Sequence, residues 1–330
     1  MKHIARALVA AVALSWVMPA IAEASPIKLK FAHGAAPTNP RHAAAEHFAD
    51  LVAKYTDGKA EVAIFPSGQL GNERQYLEAL SSGAIEFAVA GTPIFAAYAP
   101  ELELVDMPYL FSSYEKAWEV LDGPIGSKLI EPVESQGIKI LAFWENGFRH
   151  VTNNVRPINT PEDLAGIKIR TSKSKVRMAT FSAFDASPVP IAFRELYLAL
   201  SQGVVDGQEN PLTNIHSAKF WEVQKFLSLT GHVYGALPLA VSSKVWEELS
   251  PDMRAQIQRA ASEAAAHHRA LVQEADKTLI GVLEENGMQI NTPADIAPFQ
   301  KVATAVWKGY RERFGDVKVD EILKAAGAAQ

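Results

Sequence analysis

The chain has 330 residues, 48% of them hydrophobic and 21% charged, which excludes a largely disordered polymer and leaves room for about two domains. Lys and Arg total 32 against 37 for Asp and Glu, a formal charge of −5 that argues against a broad nucleic-acid-binding surface. The absence of cysteine excludes disulfides, thiolate catalysis, iron–sulfur clusters and cysteine-based zinc sites together.

The N-terminus sets the expected compartment. Lys2, His3 and Arg6 precede an apolar run from Leu8 to Val17, and Pro19-Ala20-Ile21-Ala22 supplies small residues for cleavage. Residues 1–22 therefore form an expected secretory signal peptide, cut after Ala22 or, as the alternative, after Ala24. The run is too short for a membrane anchor, which needs about 20 residues, and no later window is long and apolar enough. Losing Lys2 and Arg6 with the leader leaves 30 basic residues against 37 acidic, a net −7. The pattern predicts an acidic protein exported to the periplasm.

Beyond the leader, Pro26–His33 alternates Leu29 and Phe31 with Lys28 and Lys30, a strand period. Asn39-Pro40 caps a helix that carries Ala43, Phe48, Leu51 and Val52 and stops at Asp57-Gly58. A strand at Glu61–Phe65, a helix at Gly71–Ser82 and a strand at Phe87–Ala90 follow. This alternation predicts α/β architecture with parallel pairing and right-handed crossovers. Helices at Tyr114–Leu121 and Ile125–Gln136 then lead to a strand at Ile138–Trp144. Thr160-Pro161-Glu162-Asp163 starts a helix, and Gly166–Arg170 is a strand. After Lys175–Phe184 come a strand at Val189–Ile191, a helix at Glu195–Gln202 and a strand at Val204–Glu209. Leu237–Ser242 is a buried strand. Ser250-Pro251 caps a helix with no breaker before Gly287, about 50 Å long and able to lie across two lobes. The alternative, two helices meeting at His267-His268, has no Gly or Pro to mark it. Thr292-Pro293 caps a final helix to Phe314.

Nucleotide, zinc-protease and serine-hydrolase signatures are missing. Ser67-Gly68 and Gly71 imitate a phosphate cradle, but no Lys follows, and a tight turn is the expected role. Glu263 and His267 have metal-ligand spacing without a third ligand, which points to neighbours on a solvated helix face. What remains is a set of polar residues at expected strand ends, where open α/β sheets bind ligands. Arg170 is the last residue of its strand; Arg149 follows the strand end Trp144 in the loop Glu145-Asn146-Gly147-Phe148; Asn210 precedes Pro211; His33 ends the first strand. Two guanidinium groups in one polar crevice suit a carboxylate.

The run from Arg194 to Pro211, ending Gly207-Gln208-Glu209-Asn210-Pro211, resembles the signature of the solute-binding proteins of TRAP transporters, the DctP family. Pro66–Gly71, Asp106–Phe111 and Ala142–Arg149 are similar to further family segments, and the resemblance covers the whole mature chain. It implies a two-lobed, periplasmic-binding-protein-like α/β fold that closes on a small organic acid, either a C4-dicarboxylate or a hydroxy or sugar acid. Lobe one is expected at 25–146 plus 236–275 and lobe two at 147–235 plus 276–330, with the long helix spanning both. The resemblance implies that Arg170 clamps the carboxylate, Arg149 adds a second basic contact, Asn210 hydrogen-bonds the ligand and Phe193 packs beneath it. His33, Asn214 and Tyr234 are expected at the rim, and Gln69 and Glu73 with His33 on the covering lobe. Gly91-Thr92 stands where the sialic-acid branch has an acidic residue, which argues against that ligand. The implied partner is a membrane permease driven by an ion gradient, with no cofactor and no catalysis. Two other readings stay open on the residues: an enzyme acting on a carboxylate, for which no nucleophile or acid/base pair stands out, and a sensory receptor for an organic acid.

Overall fold

Nine strands build one sheet among the residues described, 25–328, in a computed structural model. They are β1 (Ile27–His33), β2 (Ala60–Phe65), β3 (Phe87–Val89), β4 (Ile138–Asn153), β5 (Lys168–Thr171), β6 (Ser187–Pro190), β7 (Gly207–Asn210), β8 (Phe226–Ser242) and β9 (Gln289–Asn291). The expected signal peptide, 1–22, lies outside the described residues. The order is β2-β1-β3-β8-β4-β7-β5-β6, with β9 also beside β8. β1 runs parallel to β2 and β3, and β5 runs parallel to β6 and β7. Between these parallel blocks stand β4 and β8, of 16 and 17 residues, antiparallel to each other, with β4 antiparallel to β7 and β8 antiparallel to β3 and parallel to β9. Both blocks therefore share one central ribbon.

Each block is covered on both faces, as parallel strands require. In the first, Phe31, Phe87, Leu239 and Val241 pack with Phe48, Trp144 and Ala260–Ala261. Ala32, Ala88 and Ala240 on the opposite face meet Tyr76, Leu80, Phe95 and Leu104. In the second, Val151 and Ile169 pack with Phe181, Phe184 and Phe299, while Leu227 meets Leu196, Leu200, Phe220 and Leu283. The helix Pro251–Glu285 is continuous for 35 residues and places Ala260–Ala265 in the first block and Leu283 in the second. Its small residues let it approach the helix Pro40–Tyr55. His268, where a break was the alternative, is instead buried edge-on against Trp144 at 5.2 Å.

The structure corrects several expected boundaries. The strand expected to stop at Trp144 continues to Asn153, because Gly147 (φ 103°) turns an apparent loop into a bulge where the β4–β8 register slips. The strand expected from Leu237 begins at Phe226, and the one expected from Val204 is confined to Gly207–Asn210. Thr160 starts only the single 3₁₀ turn Pro161–Leu164, whose Asp163 carboxylate accepts from the Thr160 N–H at 2.9 Å. The last expected helix spans Ala297–Phe314 rather than starting after Thr292, and an unanticipated helix, Asp316–Ala326, follows it. These helices bridge the halves: Phe299 packs in the second block, while Trp307, Tyr310 and Ile322 pack in the first.

Candidate functional site

A cleft opens between the blocks. Its outer chamber, about 320 Å³, has Gly68, Gly71–Gln75, Pro93 and Ile94 on one wall and Arg170, Ser172, Lys173 and Ile191–Arg194 on the other. It leads to a narrow inner space of about 40 Å³ that shares Glu73, Pro93, Ile94, Arg170, Ser172 and Phe193 and adds Arg41, Asn146, Arg149, Arg177, Asn210 and Asn214. Four guanidinium groups thus line the floor.

The local sequence explains how they are held. Gly207 lets β7 lie against β4, since a Cβ there would come within 2.3 Å of the Thr152 carbonyl oxygen. That contact sets Glu209 and Asn210 beside Val151 and His150. Arg149 donates from Nε and Nη2 to the Glu209 carboxylate, from Nη2 to the Glu209 carbonyl at 2.6 Å, and to Asn210 Oδ1 at 3.1 Å. Arg177 pairs with Asp106 at 2.5 Å and approaches Glu209 at 3.8 Å. Burial alone would push the Glu209 carboxyl up, but Arg149 and Arg177 outweigh it and hold the group well below the usual carboxylate range.

Arg170 differs from its neighbours. It is 2% exposed, its Nε donates to the Ile191 carbonyl at 2.8 Å, and no acid lies within salt-bridge distance among the described residues. Burial lowers its pKa to about 10 despite support from Glu209. A planar fork of donors held by one bond, facing a cavity, can receive a bidentate acceptor.

The cleft brings together Arg170, Arg149, Asn210, Phe193, Asn214 and Glu73. Asn214 Nδ2 donates to Asn210 Oδ1 at 3.0 Å, and Phe193 packs edge-on against Phe220 at 5.9 Å. Three expected residues lie elsewhere. Tyr234 is buried in the first core, where its hydroxyl donates to Glu145 at 2.9 Å and its ring meets Phe111 and Phe148, so it lines neither chamber. His33 is fully buried against His42, with 3.1 Å between ring nitrogens, and also lines neither. Gln69 is exposed in the turn whose Gly68 N–H donates to the His33 carbonyl, and its neighbours line the cleft without it. Arg149, expected on a loop, is a strand residue already engaged by Glu209. The Glu263–His267 spacing belongs to no metal cluster among the described residues: His267 lies tilted against His47 with ring centroids 4.4 Å apart, and Glu263 accepts from Tyr55 and Arg259.

Arg41 and Arg177 went unnoticed in the sequence. Both left a trace there, since each falls on the apolar stripe of its helix: Arg41 with Ala44, Ala45 and Phe48, and Arg177 with Thr180 and Phe181. A charged residue on a buried stripe is informative because such groups are seldom buried without a partner.

A sheet of two parallel blocks joined by an antiparallel ribbon, with a cationic cleft between them, defines an α/β solute-binding protein. The family model for "Bacterial extracellular solute-binding protein, family 7" (DctP) matches residues 31–313, and the chain belongs to that family. It is 38% identical over 271 residues to the 2,3-diketo-L-gulonate-binding periplasmic protein YiaO of Escherichia coli, covering 82% of this chain and 83% of that protein. It is 35% identical over 334 residues to the C4-dicarboxylate-binding periplasmic protein DctP of Rhodobacter capsulatus, with 99% of each covered. The crystal structure of a TRAP periplasmic solute-binding protein from Polaromonas sp. JS666, bound to D-erythronate, superposes with a TM-score of 0.88 at 38% identity, covering 90% of this chain and 98% of that one.

Proposed function

We propose that this chain is the exported receptor subunit of a TRAP transporter, capturing a small organic acid and handing it to an ion-gradient-driven permease. The ligand class is a C4-dicarboxylate or a hydroxy or sugar acid, the range spanned by what the named relatives bind. The observation that carries the reading is Arg170, a buried guanidinium on the cleft floor with one bond to the protein and no acid. The carboxylate docks on it, with Asn210 as a flanking donor held by Asn214 and Arg149, Arg149 fixed in turn by Glu209, and Phe193 beneath. Glu73 covers the ligand from the opposite wall. Lobe one at 25–146 plus 236–275 and lobe two at 147–235 plus 276–330 approach each other by bending of the β4–β8 ribbon, and residues 1–22 are removed on export to the periplasm. The protein performs no chemistry on its cargo.

The test is calorimetric titration of the pure protein with succinate and with D-erythronate, followed by recovery of the ligand. Binding with the ligand chemically unchanged after long incubation is the expected result. An acid present at about 100 times its dissociation constant adds about 2.7 kcal/mol of stability, visible as a raised unfolding temperature. Failure of every small organic acid to bind, or turnover of one of them, overturns the reading.

A further inference from the structure

Arg41 is placed where a cation is costly three times over. It is 5% exposed, and burying an ion costs several kcal/mol without full pairing. No acid lies within salt-bridge distance among the described residues. Its Nη2 donates to Asn146 Oδ1 at 3.0 Å, while Nε is buried with no hydrogen-bond partner. It is also the second residue of the helix Pro40–Tyr55, and the helix dipole there disfavours positive charge. Burial lowers its pKa, with Glu73 as the largest opposing influence. The cavity it lines is the inner chamber of the cleft.

Its position is nevertheless tightly fixed. Asn39 caps the helix by accepting from the Arg41 N–H at 2.9 Å, and its side-chain amide donates to Asn214 Oδ1 at 3.1 Å and Ser217 Oγ at 3.0 Å on the helix Leu212–Ser217. Asn146 accepts from both Arg41 and Asn214. Arg41 thus belongs to the amide network that holds Asn210 and Arg149, yet it arrives from the first block, opposite Arg170.

We propose that Arg41 is a second ligand-binding guanidinium, donating from across the cleft to an anionic oxygen of the bound acid. The inference rests on the organic-acid reading above and adds a cation from the other wall. The ligand supplies the negative charge this residue lacks, so binding ties both blocks to one anion.

The experiment separates this role from a structural one by the direction in which stability moves. Arg41→Gln removes a buried charge that has no acid partner, so the unliganded unfolding temperature stays unchanged or rises. Its affinity for whichever of succinate or D-erythronate binds the unaltered protein falls about ten- to a hundredfold, the range for a lost hydrogen bond between charged groups. Arg41→Lys keeps the charge without the fork and recovers part of that loss. Affinity within twofold of the unaltered protein overturns the proposal. So does a variant that fails to fold, or an affinity loss accompanied by a lower unliganded unfolding temperature, because Arg41 would then be a structural tie to Asn146. If neither acid binds the unaltered protein, the organic-acid reading itself has failed, which is a separate result.

Discussion

Glu145 and Glu209 lie on adjacent regions of the sheet, one mid-way along β4 and the other on β7 at the cleft floor, and each is no more than 1% exposed. Glu209 faces Arg149, Arg177 at 3.8 Å and His232 at 3.4 Å. Glu145 faces Trp118 Nε1 at 2.8 Å and the Tyr234 hydroxyl at 2.9 Å, and its Oε1 has no partner. Burial raises the Glu145 carboxyl from 4.5 to about 8, with its two hydrogen bonds only moderating the shift. The same burial acts on Glu209, but two guanidinium groups reverse it. Equal burial thus gives opposite titration, and the facing charges decide. The cleft floor is built to keep charge, whereas the centre of the ribbon is built to suppress it.

The strongest way to break this contrast is Glu209→Gln. It leaves Arg149 and Arg177 buried beside a neutral group, and a stability loss of about 3–5 kcal/mol is expected in urea unfolding at pH 7. A loss below about 1 kcal/mol would mean that the arginines have other support. Arg170→Lys comes next. It should weaken acid binding by about a hundredfold in calorimetry while leaving unliganded stability nearly unchanged, since no acid pairs with Arg170. Near-unaltered affinity would remove Arg170 from the role of clamp.

The pH dependence sharpens the same contrast. Glu145 keeps its proton in the folded chain up to about 8 but releases it near 4.5 when unfolded, so its contribution declines as pH rises through that window. Glu145→Gln should remove the decline and stabilise the protein at pH 8 by on the order of 1–3 kcal/mol. Glu209 has the opposite sign: its stabilisation is present above the usual carboxylate range and is lost as pH falls below it. Unfolding curves for Glu145→Gln that parallel the unaltered protein from pH 5 to pH 8 would refute the assignment. The smallest effect is expected for Lys277→Ala. Its pair with Glu274, 3.0 Å apart in solvent, should be worth less than about 0.5 kcal/mol in the same assay.

Some of this was legible in the sequence for identifiable reasons. Ser250-Pro251 and the lack of any further proline up to Glu285 pointed to the 35-residue helix, which runs through the isolated Gly281, and Asn39-Pro40 pointed to the start of the helix at Pro40. Arg170 stood out because polar residues at strand ends gather at ligand crevices. Arg149 was misplaced because Glu145-Asn146-Gly147 has the composition of a turn, and only the pairing with β8 turns that glycine into a bulge. Tyr234 was assigned to the rim although its partner, Glu145, lies 89 residues away, a separation local pattern does not register. The helix Asp316–Ala326 lies beyond the expected end at Phe314, and Gly315 is the joint between the two helices.

The central ribbon has a consequence for the order in which the chain can acquire structure. β3 closes the first block by pairing with Leu239–Val241 of β8, so that block remains open along one edge until about 240 residues are available. The second block needs β9, near residue 290, beside the opposite end of the same strand. Neither half is a contiguous segment that can be completed while the rest is still being made, in contrast to domains that fold in turn from the N-terminus. Long-separated pairings of this kind also slow folding. The strip that both halves share therefore keeps the polypeptide incompletely folded until about residue 290 has appeared.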